Sequence, residues 1–190
     1  MARKFTKISA KAFESMQFNA GLVLDKFDTS GATTVADDDI ISATTGGVTI
    51  RCVPVTTDLG EDVDNCPKDT VEMMQIESYD CGIDLTALNV SEKVIKLALG
   101  AADVSSNTIT PRMEYKTEAS TGDFKDVWWV GDLVGGGYAA VKLTNAISTG
   151  GLTLKTNDKG KGQLSVSLKG CVRMGSDKAP MEFYVSTTGE

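Results

Sequence analysis

Apolar and polar residues alternate with a period of two along much of this chain. The clearest run covers residues 163–174. One face of this run is apolar and consists of Leu164, Val166, Leu168, Val172 and Met174. The other face is polar and consists of Gln163, Ser165, Ser167, Lys169 and Arg173. This alternation predicts a half-buried antiparallel strand. Runs with the same period cover residues 48–52, 83–87, 109–115 and 139–147. Strands at this spacing predict a sandwich or a barrel.

A different spacing distinguishes residues 91–100, which form the one predicted helix. Apolar residues fall at helical intervals there, namely Val94, Ile95, Ala98 and Leu99. Ser91 is a favourable N-cap, and Gly100 is a favourable residue at which to end a helix. The predicted fold is therefore mainly β, an antiparallel sandwich or barrel with one flanking α-helix at about residues 91–100. A length of 190 residues suits a single domain, residues 1–190.

The composition argues against several classes of function. The chain has no histidine, which removes the commonest general base, the commonest zinc ligand and every Ser–His or Cys–His nucleophile pair. Its net charge of −7 disfavours a protein that holds nucleic acid tightly, because like charges repel the phosphates. No apolar run is long enough for a membrane span, and the basic N-terminus lacks the apolar block of a secretory signal. We expect neither an enzyme nor a membrane protein.

No sequence motif indicates a metal or a cofactor. The four cysteines form no C-x-x-C pair, so their spacing does not match a zinc ribbon: Cys52, Cys66, Cys81 and Cys171. The glycines at 135–137 are not followed by the Gly-Lys-Ser/Thr of a phosphate-binding loop. We therefore expect no cofactor, and we interpret the cysteines as small, mostly buried side chains.

The stretch DLGEDVDNCP, residues 58–67, is the strongest candidate for a functional site. It lies in a connection at about residues 55–70 that shows no periodicity, and connections of this length are often functional. The candidate residues are Asp58, Glu61, Asp62, Asp64 and Asn65. A calcium site, a hydrated surface loop and a loop that docks onto a neighbouring subunit are the three interpretations. The ligand order of a calcium-binding EF-hand loop is absent, and docking explains the length of the connection best.

Four blocks of the sequence, taken together, resemble one protein family. They are ATTGGVTIRCVP at 43–54, DLGEDVDNCPKDT at 58–70, DFKDVWWVGDL at 123–133 and NAISTGGLTLKTNDKGKGQLSVSLKG at 145–170. In this combination they resemble the major tail proteins, also called tail tube proteins, of long-tailed bacteriophages that infect Gram-positive bacteria. The similarity extends from about Ile8 to Val185.

The resemblance implies a structural role in a virion. Tail tube proteins are β-sandwiches with a flanking helix, and they form hexameric rings that stack into a hollow tube for DNA ejection. The implied partners are further copies of this chain and other tail proteins, such as the tape measure, tail tip and terminator proteins. Double-stranded DNA would pass through without specific binding. The implied location is the virion tail, after assembly in the cytoplasm of the host bacterium.

The resemblance also implies roles for two segments. A long loop between two early strands commonly reaches the adjacent ring, and the connection at about 55–70 is the candidate by its position. The N-terminal arm, about residues 1–12, is expected to be flexible until assembly. A tail-like bacteriocin or injection device would share the fold. The alternative function is a binding module, either an adhesin or a carbohydrate-binding sandwich, whose acidic loop holds calcium.

Overall fold

The structure is a computed structural model that describes residues 8–30 and 34–187. The strands are β1 (Leu22–Leu24), β2 (Ile40–Ser42), β3 (Thr44–Asp58), β4 (Met74–Ala87), β5 (Ala102–Ser105), β6 (Thr108–Pro111), β7 (Lys125–Asp132), β8 (Gly137–Ser148), β9 (Thr153–Lys155), β10 (Gln163–Gly170) and β11 (Met181–Thr187). The one α-helix in these ranges is α1 (Glu92–Leu99), and short 3-10 turns cover Ala10–Ala12, Asp37–Asp39 and Val71–Met73.

The strands form one large antiparallel sheet and a separate small hairpin. Seven strands lie in the order β2–β1–β7–β8–β10–β4–β3, while β11 pairs with β8 and β9 pairs with β10. The separate hairpin consists of β5 and β6. The expected class, an antiparallel sandwich or barrel with one flanking helix, is confirmed.

Strand β8 connects two halves of the sheet. Its first part pairs with β7 and β11, and its last part, residues 146–148, pairs with β10. Between these parts the register with β7 shifts, and Asn145 has a φ of 47°. A bulge bends a strand in this way. The main core packs between the two halves, since it unites Val23 and Val127 with Leu85 and Val166.

Helix α1 begins and ends where its sequence predicts. The Ser91 hydroxyl accepts a hydrogen bond from the backbone N–H of Val94, which satisfies one of the free donors at the N-terminus. Gly100 follows the last turn with a φ of 77°, a conformation that glycine adopts at little cost. Val94 and Ala98 are buried in the main core, so the helix is held on the sheet by its apolar face.

Two of the alternating runs end earlier than their sequences indicate. β10 ends at Gly170, and Val172 and Met174 are exposed. The chain turns away there because the backbone N–H of Cys171 donates to the carbonyl of Asn145, at the bulge of β8. β6 ends at Pro111, and both Met113 and Tyr115 are exposed.

The two adjacent tryptophans lie on opposite faces of β7. Trp129 packs against the main core, and its indole N–H donates to the carbonyl of Ala20 at 3.0 Å. Trp128 lies in a second cluster, where its ring is 5.8 Å from that of Phe27 and 5.4 Å from that of Tyr184. Residues of this chain therefore bury Trp128 and half-bury Trp129.

Candidate functional site

A long hairpin of β3 and β4 extends beyond the rest of the sheet. β10 pairs with β4 only from Gly82 to Ala87, whereas β3 pairs with β4 from Ala87 out to Met74. The part of β4 between Met74 and Cys81 therefore has β3 as its one strand neighbour within the described ranges. We call residues 53–58 and 74–79 the outer half of the hairpin, and residues 44–52 and 81–87 the inner half.

The connection expected at about residues 55–70 begins later in the structure. β3 continues to Asp58, which pairs with Met74, so the connection runs from residue 59 to residue 70 and is followed by the turn Val71–Met73. Alternation fails at the end of β3 because neither face of the strand is buried there. A strand without a buried face has no reason to alternate, which is why the sequence suggests a loop.

Apolar side chains of the outer half are exposed to solvent. They are Val53, Val55, Met74, Ile76 and Tyr79, and Leu59, Val63 and Val71 of the connection are exposed as well. In the inner half Cys81, Ile83, Leu85 and Ala87 are all buried. The register places Val53 and Val55 on one face of the hairpin and Ile76 and Tyr79 on the other, so both faces expose apolar side chains, which commonly mark an interaction site.

The carboxylate of Asp58 holds the connection together by accepting two backbone hydrogen bonds from it. Its Oδ1 accepts a hydrogen bond from the backbone N–H of Gly60 at 2.8 Å, and its Oδ2 accepts one from the N–H of Asp69 at 3.1 Å. Gly60 is buried, and a Cβ at that position would lie 2.7 Å from the Cys66 Sγ. The connection is therefore a compact, internally bonded tip.

The other predicted contact residues project from this tip. Glu61, Asp62 and Asp64 are exposed, and within the described ranges none of them forms a salt bridge. Asn65 is also exposed and has a φ of 63°, so it serves the turn itself. The described residues contain no cluster of three or more acidic or cysteine side chains placed to hold a metal ion. The tip thus presents three carboxylates to solvent.

An ion-pair network covers the outward face at the root of the hairpin. Arg51 Nη1 lies 2.7 Å from Asp84 Oδ2, and its Nε lies 3.4 Å from Asp80 Oδ2. The Ser167 hydroxyl donates to the second oxygen of Asp84, and Lys169 approaches Asp80 at 3.8 Å. The charge of Asp84 raises the pKa of Arg51. The spacing of these residues in the sequence gives no sign of the network, because strand pairing alone brings them together.

Two cysteines meet where the inner half ends. Cys52 and Cys81 are opposite each other in the register, and the Cys81 thiol donates to the Cys52 Sγ at 3.4 Å. Both are free thiols, and Cys81 is buried. Burial, together with Cys52, raises the pKa of the Cys81 thiol to about 12. The pair is a direct cross-strand contact at the base of the exposed half.

A wide cavity lies beside α1. It has a volume of about 720 Å³ and lies between α1, the start of β7 and the end of β8. Ile41, Val127 and Ile147 are buried side chains of its wall. Five cations line it, namely Lys26, Lys93, Lys96, Lys125 and Arg173, and all are exposed. We call this feature the α1 cavity; sequence analysis missed it because its residues come from distant segments.

The acids that line the α1 cavity are already paired. Asp25 lies 2.5 Å from Lys93, Asp123 lies 2.5 Å from Arg112, and Asp126 lies 2.9 Å from Lys142. Arg112 Nε is 3.1 Å from Asp103 Oδ1, although it is not aligned for a hydrogen bond. Four lining cations therefore have no carboxylate within salt-bridge distance among the described residues: Lys26, Lys96, Lys125 and Arg173.

Comparison with known proteins does not assign the chain to a family. No protein-family model matches the sequence, and no curated protein matches it significantly. No helix in residues 8–30 and 34–187 has the length and apolar character needed to cross a membrane. The functional argument therefore depends on the hairpin and on the surfaces around it.

Proposed function

We propose that this chain is a structural subunit of a bacteriophage tail tube, which joins copies of itself into rings and stacks the rings into a hollow conduit for DNA. The outer half of the β3–β4 hairpin is the observation that carries the proposal. It is a pair of strands, continuous but for one register shift next to Thr56, whose apolar side chains contact solvent. A lone two-stranded hairpin is marginally stable in water, so a neighbouring subunit is the natural partner for this surface.

Open strand edges also favour self-association. Within the described ranges, β3 and β11 each pair with a strand on one side only. Unpaired edges offer backbone donors and acceptors to another strand, and closure into a ring removes them. Phe183 and Val185 of β11 are exposed, so one open edge is apolar as well.

We assign the outward face of β10, β4 and β3 to the wall of the conduit. Ser165 and Ser167 of β10 alternate with buried residues, so their side chains are on this face. Two cations, Arg51 and Lys169, pair there with two carboxylates, Asp80 and Asp84. A face with balanced charge in a protein of net charge −7 gives DNA phosphates no strong attachment.

The proposal is tested by electron microscopy of the purified full-length protein over a concentration series. Rings or hollow tubes are expected at high concentration. The variant Val53→Thr/Val55→Thr/Ile76→Thr keeps β-branched residues but removes exposed apolar surface. It should melt like the wild type, because exposed substitutions usually change stability by less than about 0.5 kcal/mol. Its concentration for half-assembly should rise by about tenfold or more, which corresponds to about 1.4 kcal/mol.

Val172→Thr provides the matched control, since Val172 is exposed but lies outside the hairpin. This variant should assemble as the wild type does. The proposal fails if the wild type stays monomeric at every concentration or forms only closed dimers. The role of the hairpin fails if the triple variant assembles at the wild-type concentration.

A further inference from the structure

We infer that the α1 cavity is the receptor for the acidic tip of a second copy of this chain. This inference rests on the proposed self-assembly and names the surface that receives the hairpin. The tip supplies Glu61, Asp62 and Asp64 around the exposed side chain of Val63. The cavity supplies exposed cations around an apolar wall.

Charge complementarity is the first argument for this pairing. The stretch from Asp58 to Glu72 holds six carboxylates and one lysine. Among the described residues, no cation lies within salt-bridge distance of Glu61, Asp62 or Asp64. In the same part of the chain, no carboxylate lies within salt-bridge distance of Lys26, Lys96 or Lys125. Lys125 already donates to the carbonyl of Ser120 at 3.0 Å, so what contact between copies would add to each set is a partner of opposite charge. Opposite patches also steer association.

The wall of the cavity supplies the second argument. Ile41, Val127 and Ile147 offer an apolar surface to an entering side chain. Ser148 also lines the cavity at 5% exposure, and its hydroxyl has no hydrogen-bond partner among the described residues. A buried hydroxyl without a partner is costly, and it marks a place in the wall where a polar group of the entering tip would be favourable. The tip carries both kinds of group, apolar Val63 and the carboxylates beside it.

The position of the two surfaces shows that the contact must be between copies. Ser148 pairs with Leu168, and Leu168 pairs with Ile83, so this side of the cavity is level with Ile83. The stretch of β4 from Met74 to Ile83 spans about 30 Å at the rise of an extended strand. The tip lies beyond Met74, and it therefore cannot reach the cavity of its own chain.

The separation of the two surfaces also bears on the kind of assembly that the contact builds. The donor surface and the receptor surface are different patches at different levels of one molecule. When a copy gives its tip to one neighbour and its cavity to another, the contact is heterologous and repeats from copy to copy, whereas a reciprocal exchange between two copies would close a dimer. The proposed stack of rings requires the head-to-tail arrangement.

Charge reversal tests the contact in the full-length protein. Glu61→Lys/Asp62→Lys reverses the tip, and Lys96→Glu/Lys125→Glu reverses the cavity. Each double variant should raise the concentration for half-assembly by about tenfold or more, and the chain that carries all four substitutions should recover most of the loss. Lys159→Glu/Lys178→Glu is the matched control with the same change in net charge outside the cavity, and it should assemble normally.

A cross-linking experiment decides the inference separately from tube formation. In chains with Cys66→Ser and Cys171→Ser, one copy carries Val63→Cys at the tip and the other carries Ala119→Cys in the cavity. Diamide, which takes up the two thiol hydrogens, should give a disulfide-linked pair in at least fivefold excess over a mixture in which Lys178→Cys, an exposed position outside the cavity, replaces Ala119→Cys. Equal yields of the two cross-links would overturn the inference. Assembly of the Lys96→Glu/Lys125→Glu variant at the wild-type concentration would overturn it as well. A wild type that never forms rings or tubes counts against the proposed function, and the cross-link still decides this contact.

Discussion

The inner and outer halves of the β3–β4 hairpin have the same backbone structure and opposite surroundings. Ile83 in the inner half is 0% exposed and pairs with Ile50. Ile76 in the outer half is 51% exposed and pairs with Thr56. Both residues belong to the same strand, and the ladder continues from one to the other with one irregularity next to Thr56.

The comparison separates strand formation from packing. Backbone pairing continues as far as Asp58, where hydrogen bonds from Gly60 and Asp69 to the carboxylate hold the tip. Side-chain burial ends much earlier, at Cys81. Apolar residues beyond that point do little for the stability of this chain. Their contribution is expected in contacts between chains.

The sharpest test of this difference is a matched pair of substitutions. Ile83→Ala should reduce the free energy of unfolding by about 2–5 kcal/mol, because it leaves a cavity in the core. Ile76→Ala should reduce it by less than about 0.5 kcal/mol, because the side chain is exposed. Urea unfolding measures both values. Similar losses for the two variants would mean that the outer half packs against its own chain in solution.

The same two substitutions should affect assembly in the opposite order to stability. Under conditions where both variants are folded, Ile76→Ala should weaken assembly more than Ile83→Ala does. Comparison of their concentrations for half-assembly supplies the measurement. If Ile76→Ala leaves assembly unchanged, the outer half is not a contact surface at this position.

A covalent link between Cys52 and Cys81 is the second test, since it joins the strands at the boundary of the two halves. The Sγ atoms are 3.4 Å apart, and residues opposite each other in an antiparallel pair have Cα separations that suit a disulfide. Diamide oxidises the two thiols to a disulfide and takes up both hydrogens. In the Cys66→Ser/Cys171→Ser chain we expect a mass loss of about 2 Da and a stability gain of about 2–4 kcal/mol, typical of a disulfide.

The additional variant Cys52→Ser is the control for this link. It retains the buried Cys81 but cannot form the disulfide, so diamide should change neither its mass nor its melting temperature. If the parent chain shows no mass loss even when diamide is present during refolding from urea, so that burial does not shield Cys81, the two strands are not held at the observed separation. A mass loss without a gain in stability would mean that the link strains the sheet.

Period-two alternation predicts those parts of the fold that have one buried face. Residues 83–87 and 164–168 alternate as expected, and Ser91 and Gly100 bound the helix as expected. The same signal is lost where a strand has no buried face, so the end of β3 resembles a loop in the sequence. It misleads where tertiary contacts end a strand, as they do at Gly170.

The candidate site, like the fold, could be predicted from the sequence only in part. Composition alone identifies Glu61, Asp62 and Asp64 as an unusual group of carboxylates. It does not show that Asp58 belongs to the inside of the tip, because that role depends on a hydrogen bond to Asp69. The α1 cavity and the Arg51 network combine residues that are distant in the sequence, and only the paired strands bring them together.

The third and smallest of the expected effects on stability comes from the titration of Cys81, the last buried side chain of β4 before the outer half. Burial raises the pKa of this thiol from 9.0 to about 12. The unfolded chain loses the proton from about pH 9, whereas the folded chain retains it up to about pH 12. The unfolded state therefore binds fewer protons in this interval, and the free energy of unfolding falls as the pH rises. The contribution of Cys81 to this fall should approach about 1.4 kcal/mol per pH unit.

Cys81→Val isolates that contribution, because valine does not titrate while other groups of the protein still do. Urea unfolding between pH 9.5 and 10.5 should show a steeper loss of stability for the wild type than for Cys81→Val, by about 1 kcal/mol over the interval. Ile83→Val, a core change without a titrating group, should follow the wild-type slope. Parallel slopes for the wild type and Cys81→Val would mean that water reaches the thiol. The boundary between the buried and exposed halves would then lie closer to Ile83 than the structure places it.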